Sequence, residues 1–198
     1  AGITTEQAGM QPIAGRSLNE IFMAEKSGQV IPERDFVLIG KERHDVGRPD
    51  DQGYPVRGIV SNGFLYLRNF KPDRWPARNP ETGYLNCDGS PTKTYVLDTR
   101  REKGIMEYWQ LNFGKRPSEE LYNIQEDPFC MKNLAEDEIY AEQKAMLAEE
   151  MKQKLIEEED PRILGNGDVF DNYRYSAVQH RNFYERYMNG EEINTGWV

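Results

Sequence analysis

Between residues 40 and 55 the chain reads G-K-E-R-H-D-V-G-R-P-D-D-Q-G-Y-P, crowding Lys41, Glu42, Arg43, His44, Asp45, Arg48, Asp50 and Asp51 into one segment. The apolar run Phe36-Val37-Leu38-Ile39 precedes it, and two further strand-like runs, 56–60 and 64–68, follow. A loop held by buried strands can aim such groups at a ligand. Arg48 and Lys41 suit an anion, the first as a planar fork and the second as a point charge. The same charges equally suit a salt-bridge cluster that ties the loop to a sheet. Arg57 carries the same pair of readings: it projects toward a neighbouring body, or it pairs across the sheet with an acidic residue. Arg74-Trp75-Pro76 sets an indole beside a cation. A sugar ring stacks on such a platform, and a tryptophan there can also pack against another domain.

Other chemistries find little support. Cys87 has no obvious activating partner, since the only histidines are His44 and His180. Asp50-Asp51 and the pair Asp168 and Asp171 lack calcium-loop spacing and read as turn residues. Asn86-Cys87-Asp88 reads as a pocket rim. The acidic run 157–160 sits against the helix dipole and reads as a solvated helix end.

The elements that must position the loop follow from periodicity and punctuation. Residues 1–16 read as a linker. Ser17 and Glu20 fit a capping box over a helix at 18–27, with Leu18, Ile21 and Phe22 on one face. Residues 35–39 predict a buried strand. Asn62-Gly63 predicts a tight hairpin between the strands 56–60 and 64–70. The second of these has apolar residues on both faces and should be covered on both sides. Leu121 to Ile124 supplies a fourth strand. Residues 71–93 hold Pro72, Pro76, Pro80, Pro91, Gly83 and Gly89 and predict a long irregular loop. Ser90 should cap the helix that follows, and 105–111 predicts another. The strongest helix spans 136–158, with a core stripe of Ile139, Met146, Leu147, Met151 and Leu155 ending before Pro161. The remainder, 161–198, predicts a loosely packed tail with a short helix near 178–188. The fold class is therefore α+β: a small antiparallel sheet of about four strands packed on a long amphipathic C-terminal helix, with long irregular loops.

Composition narrows the function classes. The 198 residues are 37% hydrophobic and 30% charged, with mean hydropathy −0.83, which implies a modest core and long surface loops. The net charge of −9 is uneven: residues 54–116 hold 11 Lys and Arg against 6 Asp and Glu, whereas 117–160 hold 4 against 14. A local positive field can steer an anion even on an acidic protein. Nucleic acid does not fit, because no basic stripe accompanies a helix. No apolar run approaches the ~20 residues that cross a bilayer, so a membrane span does not fit either. Cys87 and Cys130 could form one bridge or remain free thiols.

Several stretches together resemble the C-terminal part of a type I, formylglycine-dependent sulfatase, nearest to the heparan N-sulfatase (N-sulfoglucosamine sulfohydrolase) group. Residues 40–57 and Leu65-Tyr66-Leu67-Arg68-Asn69-Phe70 carry the likeness. Gly15-Arg16-Ser17-Leu18 resembles the G-x-S-L that follows the catalytic core in that family. Glu120-Leu121-Tyr122-Asn123-Ile124-Gln125-Glu126-Asp127-Pro128, then Asn133-Leu134-Ala135, resembles the signature E-L-Y-D-L-x-x-D-P-x-E-x-x-N-L-A. The likeness runs from about residue 1 to 156, leaving 17–160 as a sulfatase C-terminal subdomain and 161–198 as an irregular tail.

The resemblance implies a substrate-binding role for His44, Asp45, Arg48, Lys41, Arg57 and Trp75, toward a sulfated glycan of the N-sulfoglucosamine type. Asp45 stands where the family has Glu, a shorter arm of the same charge. It also implies a parent enzyme that carries calcium and formylglycine and is periplasmic, secreted or lysosomal. The nucleophile is missing here: neither Cys87 nor Cys130 has Pro two residues on and Arg four on, as C-x-P-x-R requires. The chain is thus read as the C-terminal portion of a longer enzyme, without activity of its own. Its partner would be the catalytic domain of the same polypeptide, and self-association through the uncovered face is a further expectation. A stand-alone carbohydrate-binding module built on Trp75, or a purely structural module, are the alternatives.

Overall fold

Asn62 and Gly63 both adopt positive φ, 51° and 78°, as a two-residue hairpin loop requires. They join β2 (Val56–Ser61) to β3 (Phe64–Asn69) in register, with Ser61 opposite Phe64 and Val56 opposite Asn69. In this computed structural model, which describes residues 2–11, 13, 15–85 and 87–194, the hairpin is the centre of a four-stranded antiparallel sheet. β1 (Phe36–Lys41) pairs with β2 on one side, and β4 (Glu119–Asn123) pairs with β3 on the other. Asn86, the first residue of the expected pocket rim, lies outside the described residues.

The two faces of the sheet differ. One carries Leu38, Ile59, Tyr66 and Leu121, and it packs on α4 (Ala141–Glu157) through Leu147, Met151 and Leu155, which fall at i, i+4 and i+8. Leu134 and Ala135 complete this core. The stripe expected from sequence is corrected at two places. Met146 is 54% exposed, one residue and so ~100° round the helix from Leu147. Ile139 is 84% exposed and precedes the helix, in a 3-10 turn (Glu138–Tyr140) that Asp137 caps by accepting from the Ile139 N–H at 3.1 Å. The helix accordingly begins at Ala141, not 136, and ends at Glu157, short of Pro161.

The opposite face carries Val37, Ile39, Val56, Val60, Leu65 and Leu67, and it is only partly covered. β1 is therefore an exposed edge strand and not a buried one, with Val37 and Ile39 open to solvent. β3 is likewise only partly covered: Tyr66 on one face and Asn69 on the other are buried, Phe64, Leu65 and Leu67 are half-buried, and Arg68 is exposed. Near the N-terminus, the helix expected over 18–27 is a single turn, α1 (Asn19–Phe22), without a side-chain N-cap bond. Ser17 Oγ accepts instead from the Asn19 N–H at 3.2 Å. Leu18, Ile21 and Phe22 are exposed, and so short a helix has no tertiary packing to lengthen it.

Residues 71–85 and 87–90 are irregular apart from a 3-10 turn at Pro80–Thr82, yet they build a second core. Ala77 and Tyr84 pack with Val96 of α2 (Pro91–Lys103) and with Trp109 and Phe113 of α3 (Glu107–Phe113). Tyr84 stacks on Phe113 at 4.3 Å, and its hydroxyl accepts from Trp109 Nε1 at 2.8 Å. Ser90 caps α2 by accepting from the Lys93 N–H at 3.1 Å. The tail is tighter than its sequence suggests. It holds α5 (Val169–Asn172) and α6 (Phe183–Met188), and Phe183 is buried with Val46 and Leu85 in a third cluster. Cys87 and Cys130 are both free thiols.

Candidate functional site

The charged loop is closed at its base by the chain itself. The Tyr54 N–H donates to the Glu42 carbonyl at 2.8 Å, and a side chain on Gly53 would stand 2.7 Å from that same oxygen. Inside the loop Arg48 is fully buried. Its Nε and Nη2 each donate at 2.7 Å, to the carbonyls of Trp75 and Pro76. Burial pushes its guanidinium down to about 10. The fork that could have met an anion is thus spent on the backbone of residues 75–76.

Most other charges are engaged in the same way. Asp45 accepts from the Val46 N–H and the Tyr175 hydroxyl, each at 2.8 Å, and stands 2.8 Å from Arg78 Nη2. Asp51 accepts from the Asn182 N–H at 2.8 Å and the Phe183 N–H at 3.3 Å, at the start of α6. Arg43 donates to the carbonyls of Asp51 and Tyr173. Asp171 receives the Gly53 N–H at 2.9 Å and pairs with Arg74 at 3.0 Å. Burial alone would raise the Asp171 carboxyl, but the bonds from Arg74 and Gly53 outweigh it and hold the carboxyl below its usual range.

Arg57 lies on the α4 side of the sheet. Its Nη2 meets Glu42 and its Nε meets Asp160, both at 2.8 Å, and Arg162 joins Glu42 at 2.7 Å. This is a pairing with acidic residues, the second of the two readings open from sequence. Trp75 is half-buried, edge-on to Trp109 at 5.9 Å, with the Lys115 ammonium 5.1 Å from its ring centroid. Its neighbours are therefore within this chain.

Two of the six candidate residues remain open to solvent. His44 is exposed at the loop's outer turn, and Lys41 is exposed at the end of β1 with its ammonium 5.7 Å from the Tyr54 ring centroid. Although the residue as a whole is exposed, its ammonium lies against Tyr54, and this burial, then the charges of Arg48 and Arg78, lower it from its ordinary value. The structure thus brings Asp45, Arg48 and their anchors into one rigid frame, sets Arg57 on another face, and leaves His44 projecting.

Sequence reasoning passed over three groups. Arg78 is 0% exposed, and its Nε and Nη1 have no hydrogen-bond partner among the described residues. Burial pushes it down to about 9. Tyr54 is 2% exposed, its hydroxyl has no hydrogen-bond partner among the described residues, and burial pushes it up to about 12. Arg116 stands with Lys41 and Tyr54 around a cleft of about 510 Å³ on the open sheet face, floored by Leu65 and Leu67. No local pattern marks these residues, since each acquires its setting from distant segments.

Among the described residues no group of three or more His, Cys, Asp and Glu is placed to hold a metal ion. The calcium and formylglycine that the resemblance implies belong to the parent enzyme's catalytic portion, and no step is routed through either. No helix among the described residues is long and apolar enough to cross a membrane. No family model matches this sequence, and no curated protein matches it.

Proposed function

We propose that this chain is the C-terminal portion of a formylglycine-type sulfatase acting on a sulfated glycan, of the N-sulfoglucosamine kind, and that it supplies part of the substrate pocket wall. The observation that carries the reading is the pair of sequence signatures at 40–57 and 120–135. Their placement is compatible with it: the first is a braced loop that projects His44, and the second is β4 with the turn that packs beneath it. In that turn Asn133 Oδ1 accepts from the Leu121 N–H at 2.9 Å and the Ala135 N–H at 3.0 Å.

In this reading His44 is the group offered to the substrate, as a hydrogen-bonding imidazole. Asp45 and Arg48 act as positioning residues, because their polar atoms are already engaged within the frame. The reacting centre belongs to a catalytic domain elsewhere in the same polypeptide. Energy from such remote contacts can serve the chemical step.

The internal pairing of Asp45, Arg48 and Arg57 favours a second reading, a purely structural module. Kinetics of the longer polypeptide separate the two. His44→Ala raises KM for an N-sulfoglucosamine substrate if the loop faces the glycan, and it leaves KM unchanged if the module only braces the fold. An upstream reading frame without C-x-P-x-R or S-x-P-x-R overturns the sulfatase assignment itself.

A further inference from the structure

We propose that the cleft between the charged loop and the tail binds one neutral sugar ring, held by its hydroxyl groups and by contact with a tyrosine. The cleft, of about 360 Å³, runs between residues 43, 50 and 51 of the loop and residues 171–175, 181 and 182 of the tail. That volume falls within the range of small-molecule sites, roughly 300–1,000 Å³. The cleft adjoins the frame that projects His44, since Tyr175 lines it and donates its hydroxyl to Asp45 at 2.8 Å. Tyr173 lines it as well and is 57% exposed, an aromatic body with a polar tip against which the C–H face of a pyranose can pack.

The polar groups left over around the cleft decide the chemistry of its ligand. The frame itself uses Arg43 on two carbonyls and Asp51 on two N–H groups. The side chains of Asp50, Asn172 and Arg174 are exposed and engage no partner among the described residues. Arg181 spends Nε alone, on the Tyr175 carbonyl at 2.6 Å. A carboxylate, an amide and guanidinium N–H groups thus line one cleft and offer acceptors and donors together. An anion would meet the unpaired Asp50 carboxylate, and a cation would meet Arg174. A hydroxyl both donates and accepts, so a ring of neutral hydroxyls serves both kinds of group without either repulsion. The identification of that ring as a further unit of the glycan offered to His44 rests on the proposed function; the chemistry of the cleft does not.

Nuclear magnetic resonance titration of this chain with N-acetylglucosamine at millimolar concentrations tests the proposal. The Asn172 side-chain amide and the backbone amides of residues 171–175 should shift together and saturate. Asn172→Ala and Tyr173→Ala, both at exposed positions, should each leave Tm unchanged. Each should weaken binding roughly threefold to tenfold, the worth of one neutral hydrogen bond or one aromatic contact. N-acetylglucosamine 6-sulfate should bind no more tightly than the unsulfated sugar. Shifts that are absent, fail to saturate or fall elsewhere overturn the proposal, as do variants that bind as the unaltered chain does. Tighter binding of the sulfated sugar overturns the neutral-hydroxyl assignment. Saturable binding at the cleft, with an upstream reading frame that lacks both C-x-P-x-R and S-x-P-x-R, sinks the sulfatase reading alone. Turnover of an N-sulfoglucosamine substrate by the longer polypeptide, with the cleft silent to the sugar, sinks the cleft alone.

Discussion

Replacing Arg48 by lysine separates a framework arginine from a ligand-binding one. The guanidinium serves two carbonyls at 2.7 Å, those of Trp75 and Pro76, from two nitrogens of one plane. A lysine ammonium keeps the charge but cannot reproduce that planar fork. At least one charge-assisted bond is lost, worth about 1.5–3 kcal/mol, and a buried carbonyl is left short of a donor. We expect Arg48→Lys to cost this chain about 2–4 kcal/mol, from the same range. For a chain of this length that lowers Tm by roughly 4–16 °C. Thermal and urea unfolding followed by circular dichroism measures both quantities. A loss below about 0.5 kcal/mol, the level of an ordinary surface change, would refute the framework argument. Weaker glycan binding at unchanged stability would return Arg48 to the ligand.

Core truncation should follow the observed stripe: Leu147→Ala or Met151→Ala costs about 2–5 kcal/mol in urea unfolding, while Met146→Ala stays within about 0.5 kcal/mol. His44→Ala, at an exposed position, should leave Tm of this chain unchanged to within about 2 °C, as a surface change does; a larger fall would place His44 in the frame. Tyr54 is raised to about 12 and Tyr66 and Tyr122 are also raised, by burial first and then by neighbouring carboxylates. Since their folded values exceed the unfolded one, the stability they contribute is fully present below the ordinary tyrosine value and is lost as pH rises through the folded values. Absorbance titration at 295 nm should show a late phase, which Tyr54→Phe reduces; a single phase for all 11 tyrosines would contradict it.

The parts of the fold readable from sequence are those fixed by local rules. Asn62-Gly63 allows positive φ at both turn residues, and Ser90 precedes a proline-led helix it can cap. Each signal lies within a few residues of what it specifies. The errors arise where distant packing decides. Nothing in Phe36-Val37-Leu38-Ile39 tells an edge strand from a central one, because that depends on which strands flank it. Met146 and Leu147 are both apolar, and the orientation of α4 on the sheet selects between them. The site shows the same limit. The charged loop is visible as a cluster, but the partners of Asp45 and Asp51 lie about 130 residues away, at Tyr175 and Asn182.

That separation bears on how the loop acquires its shape. Its braces come from residues 75–78, which hold Arg48 and Asp45, and from residues 171–183, which hold Gly53, Asp45 and Asp51. The loop's geometry is thus a product of the whole fold, since these contacts join it to segments far along the chain. A residue projecting from such a loop is held without local backbone rigidity of its own. His44 sits next to Asp45, and Asp45 is fixed by three groups from three parts of the chain. The bracing that takes Asp45 and Arg48 away from a ligand is therefore the same bracing that gives His44 a defined position, and the tail that reads as irregular from its sequence is what completes it.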